Sequence, residues 1–326
     1  MQANRIMLQS PGRIGIEPVT LGKPGAGEVL IEMRYSTISP GTELAWLHGL
    51  PNTPGEWPTP AGYCSCGHVR EVGEGVEHVR VGDAVVTGAS HASAAIAVAA
   101  QVAPLPAGLD LADARPYRLA SIALQGVRKA QVQLGDAVAV LGLGVIGNLA
   151  GQIARAAGAT RVVGIDPVDF RRHIATRCGY DAVVPSAVEA LTHVASSGGF
   201  DVVIEATGAP EVVNDALHVA RTFGRVVLLG SSRGETTGVN FYRDVHRKGV
   251  TILGAHDMTR ASHEDIPPRF TARTDTRVVL ELLAAGRIDG RPLISDTISW
   301  RDAAQAYDRL HARRENLMTI SLDWSA

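Results

Sequence analysis

Ala137-Val138-Ala139-Val140-Leu141-Gly142-Leu143-Gly144-Val145-Ile146-Gly147 joins an apolar run to three glycines, and a helical pattern from Asn148 to Ala157 follows at once. Each glycine has a physical task in such a turn. Gly142 permits the tight strand-to-helix reversal, Gly144 lets the backbone approach a pyrophosphate, and Gly147 lets helix and sheet pack closely. The free N–H groups where the helix begins, at Val145 and Ile146, favour phosphate charge. A lone GxGxxG is also met as a glycine-rich turn that binds nothing. Here a second apolar run, Arg161-Val162-Val163-Gly164-Ile165, ends at Asp166, about 20 residues beyond the glycines, where a carboxylate accepts hydrogen bonds from the ribose hydroxyls. That conjunction predicts a dinucleotide site. Asp166 would repel a 2′-phosphate, so NAD is expected ahead of NADP. Arg171 and Arg172 follow closely; they fit a 2′-phosphate, a solvated helix face or stacking near adenine.

Outward from this turn the rhythm continues. Asp201 to Ala206, Arg225 to Leu229 and Val250 to Leu253 are further apolar runs separated by helical stretches, which is the βαβ pattern of a doubly wound parallel sheet in an α/β protein. Ligands of such sheets sit at the carboxyl ends of the strands. Thr207, Gly208, Gly230 and Ser231 are therefore candidate neighbours of the nicotinamide half, the competing reading being glycines that merely turn the chain. Before Pro104-Leu105-Pro106-Ala107-Gly108 the pattern is different: Glu28 to Met33, Gly67 to Val72, Asp83 to Thr87 and Ala94 to Val98 read as short strands of a compact β unit. After the sheet, Thr276 to Ala285 and Arg301 to Arg313 read as helices flanking a short segment, Leu293 to Ile298. The loop from Ala261 to Ala272, with Pro267-Pro268, marks a return to the β unit. The expected division is residues 1–115, 116–262 and 263–326, the first and last forming one domain.

Bulk properties exclude several classes. The 326 residues carry Lys+Arg 31 against Asp+Glu 33, a net charge of −2, with no long run of one sign to follow a nucleic-acid backbone or grip an anionic membrane. No apolar stretch reaches the roughly 18 residues of a membrane span, and Met1-Gln2-Ala3-Asn4-Arg5 lacks the apolar core of a signal peptide. Three cysteines, Cys64, Cys66 and Cys178, are too few for a disulfide framework. A cytoplasmic protein is expected.

Further motifs carry a family resemblance. Gly62-Tyr63-Cys64-Ser65-Cys66-Gly67-His68-Val69, Val72-Gly73-Glu74-Gly75-Val76, Val81-Gly82-Asp83-Ala84-Val85, the glycine turn and Glu205-Ala206-Thr207-Gly208 together resemble the medium-chain dehydrogenase/reductase superfamily along nearly the whole chain. The resemblance implies a GroES-like β domain built from both chain ends, a Rossmann domain between them, a cleft where NAD(P) meets an alcohol or carbonyl, and a homodimer paired through edge strands. Zinc-dependent relatives carry a Cys before Gly-Thr-Asp, a Gly-His-Glu and a later Cys or Asp. Here Pro40 stands where the first cysteine would be, Tyr63 and Cys64 replace the His and Glu, and only Ser121-Ile122 lies near the third place. The four-cysteine structural lobe is also absent, so no zinc is expected. Cys64, Cys66 and His68 alternate along a strand and would share a face, but they fan over about 13 Å and do not close on one ion. Within the superfamily, Ser39-Pro40-Gly41-Thr42-Glu43 with Gly62-Tyr63 is most similar to the branch containing bacteriochlorophyllide a dehydrogenase, which implies a secondary alcohol and its ketone as the substrate pair.

Without a Lewis acid, hydride transfer needs hydrogen-bond donors and a general acid or base. Tyr63 is the leading candidate, since it occupies the former metal position, and a phenol near a cationic nicotinamide is expected to ionise more readily than its usual value of about 10. Its competing reading is a packed aromatic. Thr42 matches the proton-relaying hydroxyl of the zinc-dependent relatives, and Glu43 is either catalytic or part of a structural ion pair. Trp46, His48, His91 and Tyr242 are candidate substrate contacts, with Asn52 and Trp57 beside them. Two other functions fit the same motifs: an NADPH-dependent quinone or enone reductase, and a non-catalytic NAD(H)-binding sensor or scaffold.

Overall fold

The computed structural model describes residues 1–260, 270–312 and 316–325. The chain forms two compact units, one of Met1–Arg118, Thr276–Ala285 and Leu293–Ala326, the other of Leu119–Asp275 and Gly286–Pro292. The chain thus leaves the first unit at Arg118 and returns at Thr276, later than the 263 expected from sequence, and Gly286–Pro292 belongs with the second unit. A side-chain amide explains the last point: Gln152 accepts from the Asp289 N–H at 2.6 Å and donates to the Asp289 carbonyl at 3.1 Å, satisfying that loop as a strand partner would. The prolines at 267 and 268 lie outside the described residues.

In the second unit six strands run parallel in the order Ala182–Val184, Arg161–Ile165, Ala137–Leu141, Phe200–Glu205, Ala220–Leu228, Thr251–Gly254. Ala137–Leu141 lies between its two successors, so the strand order reverses beside it, and ligands of open α/β sheets bind at that reversal. Register sets Leu141 level with Ile165 on one side and Glu205 on the other, which brings the Gly142 turn, Asp166 and the Ala206–Gly208 turn to one edge. The central strands are mostly apolar, as in a sheet covered on both faces; Val138, Ala139, Val140, Val163, Val203 and Ile204 are fully buried. The helix Val145–Ala156 buries Leu149 and Ile153, each contributing about 1.5–3 kcal/mol.

The first unit is built on a seven-stranded sheet that runs Ile294–Ser299, Thr319–Asp323, Glu28–Thr37, Ser65–Val72, Ala84–Thr87, Val102–Pro104, with Ala94–Val98 also paired to Glu28–Thr37. A smaller sheet joins Arg13–Thr20, Gln2–Ser10 and Thr59–Pro60. Two of these strands, Gln2–Ser10 and Arg13–Thr20, were not evident from sequence, because polar residues interrupt their apolar alternation. Ile6, Ile31, Ile38, Leu44, Val69 and Ile320 meet in the core together with Tyr307 from the helix Ala303–Ala312.

Candidate active site

The turn in the second unit has the geometry its glycines require. Gly142 adopts φ +90°, and a Cβ there would lie 2.7 Å from Thr207 Cγ2. A Cβ on Gly147 would lie 1.8 Å from the Gly142 carbonyl oxygen. Nothing described lies within 4 Å of the corresponding position on Gly144, the N-cap of the helix Val145–Ala156, which no side chain caps. Its first N–H groups, at Val145 and Ile146, are thus left for an anion. Asp166 closes the next strand and is 2% exposed. Its Oδ2 accepts from the Leu143 N–H at 2.8 Å and lies 3.4 Å from Arg171 Nη1, while Oδ1 accepts from the Val168 N–H at 2.9 Å. Arg172 donates to the Asp166 carbonyl at 2.7 Å. The carboxylate thus holds the glycine turn and keeps part of its lone-pair capacity for a sugar hydroxyl.

On the other side of the same edge, Glu205 accepts from the Thr207 N–H at 2.6 Å, the Gly208 N–H at 3.1 Å and the Thr207 hydroxyl. Its own carbonyl takes the N–H of Gly230 at 2.8 Å. Thr207, Gly208 and Gly230 are therefore drawn together by one buried acid, and Ser231 joins them through the close approach of its carbonyl to Gly208. Burial pushes the Glu205 carboxyl above its ordinary value, against the opposing effect of these donors.

In the first unit, Ser39 N-caps the helix Pro40–Leu47, yet its hydroxyl makes no cap bond. It accepts instead from the Tyr63 phenol at 2.7 Å, and the Thr42 hydroxyl also hydrogen-bonds to that phenol. Glu43 reaches back to the Ser39 N–H, its Oε1 accepting at 2.6 Å. The other oxygen, Oε2, takes the Tyr307 hydroxyl and lies 3.1 Å from His91 Nε2. A carboxylate only accepts, so Nε2 carries the ring proton, and buried Nδ1 has no partner among the described residues. Trp46 stands beside Tyr63, ring centroids 6.1 Å apart.

The expectation that Tyr63 ionises readily is corrected here. Burial, and after it the Glu43 charge, pushes the phenol up to about 12, the Ser39 and Thr42 hydroxyls opposing them. Tyr63 is a proton donor at neutral pH. His91 is likewise not an open ligand contact: it is fully buried and committed to Glu43. His48 is half-buried and stacks near His311, centroids 4.3 Å apart. Tyr242 is 67% exposed in the second unit, against His246. Trp57 and Asn52 belong to the loop after the helix, Trp57 packing on the core. Ser39 and Tyr307 escaped sequence reasoning. Ser39 reads as an ordinary helix cap, and Tyr307 lies 264 positions from its partner.

The donors do not suit zinc. Pro40 offers none. The Cys64 thiol donates to the Arg115 carbonyl at 3.1 Å and Cys66 to that of Leu111 at 3.4 Å. Burial, and after it the neighbouring Cys64, keeps the Cys66 thiol protonated well above its usual range, whereas zinc takes thiolate. His68 is exposed while both thiols are buried. Among the described residues no three His, Cys, Asp or Glu side chains are grouped to hold a metal ion. No helix among them is long and apolar enough to cross a membrane.

These features define a dehydrogenase fold, a GroES-like β unit joined to a parallel nucleotide-binding sheet. The alcohol dehydrogenase GroES-like domain model matches residues 25–106, and the zinc-binding dehydrogenase model matches residues 145–272. D-guloside 3-dehydrogenase of Escherichia coli (strain K12) is 29% identical over 317 residues, 86% of this chain and 88% of that protein. The 2-dehydro-3-deoxy-L-galactonate 5-dehydrogenase of Pseudoalteromonas atlantica is 26% identical over 330 residues, 91% and 92% of the two chains. A Sinorhizobium meliloti 1021 structure described as a zinc-binding dehydrogenase bound to NADP superposes with a TM-score of 0.82, covering 99% of each chain at 25% identity. The chain belongs to the zinc-binding type of the medium-chain dehydrogenase/reductase family and is an oxidoreductase of the alcohol-dehydrogenase-like kind.

Proposed function

We propose that the protein interconverts a secondary alcohol and its ketone with NAD(H), without catalytic zinc, on a polyhydroxylated small molecule. The observation that carries this reading is the Tyr63 phenol, hydrogen-bonded to Ser39 and Thr42; the family resemblance puts a metal ligand of zinc-dependent relatives at this position. The nicotinamide supplies or accepts the hydride. In the reducing direction the Ser39 hydroxyl turns to donate to the phenol oxygen, freeing the single phenol O–H to donate to the ketone oxygen and to pass its proton as the alkoxide forms; Ser39 and Thr42 donating together then stabilise the phenolate. In the oxidising direction the same oxygen takes the proton back. Glu43 holds Ser39 by its N–H rather than relaying a proton, and its charge keeps the phenol in the donor form.

NAD(H) is favoured because the motif assigns the Asp166 carboxylate to the ribose hydroxyls, and a 2′-phosphate beside it would be repelled. The polyhydroxylated substrate is supported by the relatives that act on a guloside and a deoxygalactonate. A homodimer joined through the sheet-edge strand Thr251–Gly254 accompanies this reading; sedimentation at a single monomer mass would remove it. The test of function is a panel of polyols, aldonates and glycosides with NAD⁺ or NADP⁺, followed by absorbance of the reduced coenzyme. Turnover on at least one, with NAD⁺ preferred, is expected. Tight NADH binding with no turnover across the panel would leave only the sensor reading.

A further inference from the structure

The Tyr180 side chain follows the helix Asp169–Arg177 and turns back beneath the glycine turn. It is 7% exposed, and its hydroxyl donates to the Gly147 carbonyl at 2.6 Å. The Gly151 N–H hydrogen-bonds to the same phenol oxygen. Gly147 and Gly151 are successive rungs of the helix Val145–Ala156, since each helical N–H faces the carbonyl four residues before it. The phenol therefore sits at a rung of the helix whose N-terminus opens at the glycine turn.

Two glycines make the room. A Cβ on Gly151 would lie 2.0 Å from the Tyr180 hydroxyl oxygen, and one on Gly164 would lie 2.9 Å from the ring at Cδ1. Neither glycine needs an unusual backbone conformation, and alanine is the better residue in the helix interior by intrinsic preference. At Gly151 the phenol leaves no room for a side chain; at Gly164 the Leu143 side chain, 2.8 Å away at Cδ2, shares that role with the ring. Gly147 is pressed from its other side by the Gly142 carbonyl, 1.8 Å from where its Cβ would be. The first turn of the helix is thus clamped between the glycine loop and a buried phenol, and burial keeps that phenol protonated and a donor.

We propose that Tyr180 is a positioning residue for coenzyme binding, its hydroxyl fixing the Gly147 carbonyl and hence the first helical turn that receives the diphosphate. This rests on the dinucleotide reading of the turn. The ring touches no coenzyme atom in this scheme; it sets the direction of the Val145 and Ile146 N–H groups through Gly147.

The test is fluorescence or calorimetric titration of the full chain with NADH, ADP and adenosine. Tyr180→Phe keeps the ring and removes the donor, so NADH and ADP should weaken by roughly three- to tenfold, the scale of one buried hydrogen bond, while adenosine, which lacks the diphosphate, should change less than about twofold. Gly151→Ala, which displaces the phenol, should reproduce the pattern, and the double variant should lose no more than either single one. Equal weakening of adenosine, or unchanged NADH and ADP affinity in Tyr180→Phe, would overturn the proposal. Wild-type protein that binds neither NADH nor ADP would instead overturn the dinucleotide reading beneath it.

Discussion

Ser39 occupies the place where a serine hydroxyl ordinarily satisfies the free N–H groups of a helix, and it does something else there. Its oxygen accepts the Tyr63 phenol, and the capping work passes to Glu43, whose carboxylate reaches back to the Ser39 N–H. Local rules are broken in this way at functional sites. Tyr63→Phe removes the donor and preserves the ring, so turnover should fall by about 10²–10⁴-fold with NADH affinity unchanged; equal turnover of the variant and wild type would free Tyr63 from proton transfer. The pH profile carries the sign. With the phenol held up to about 12, alcohol oxidation needs the scarce phenolate, so log kcat for oxidation should climb with unit slope through the alkaline range, whereas ketone reduction stays level there. Tyr307→Phe removes a hydrogen bond to a buried carboxylate and should cost about 1.5–3 kcal/mol in urea unfolding. That pairing was invisible in the sequence, because Tyr307 sits at a core position of an amphipathic helix and nothing near it names Glu43.

The turns at the sheet's carboxyl edge were the most legible elements, because a strand, a glycine turn and an acid at fixed spacing each leave a mark on local sequence. Gly142, Gly147 and Asp166 stand where the motif puts them. What local sequence did not reveal is how the elements are held: Asp166 ties down the Leu143 N–H, and Glu205 gathers Thr207 and Gly208 while its carbonyl holds Gly230. Glu205 is 2% exposed, and its raised carboxyl makes a directional prediction. A group held above its unfolded value stabilises the fold fully below that value and loses the contribution as pH rises through the folded one. Glu205→Gln keeps an acceptor for Thr207 and Gly208 but has no proton to lose. From acidic to neutral pH the wild type should therefore lose stability relative to Glu205→Gln, read as a urea midpoint of the variant that rises relative to that of the wild type. A variant midpoint that falls relative to the wild type's as pH rises would show that the donors outweigh burial.

For the molecule as a whole, the chain weaves one unit from three segments: the strand Thr319–Asp323 pairs with Glu28–Thr37, nearly the length of the sequence away. Alternating composition revealed that there are two units, whereas the assignment of Gly286–Pro292 to the second unit goes with Gln152 and Asp289, a side-chain pairing without sequence periodicity. The family is named for zinc, and the side chains that replace the His and Glu have other partners, Tyr63 with Ser39 and Cys64 with the Arg115 carbonyl, while nearby Cys66 donates to the Leu111 carbonyl. Recruiting them to an ion would break each hydrogen bond, and at Cys66 would remove a proton from a thiol whose burial resists ionisation. Purified protein should therefore carry zinc well below one equivalent by elemental analysis, and exhaustive dialysis against a strong chelator should leave both turnover and unfolding midpoint unchanged. Stoichiometric zinc, or chelator-sensitive activity restored by zinc alone, would return the metal to the mechanism and reduce Tyr63 to a packed aromatic.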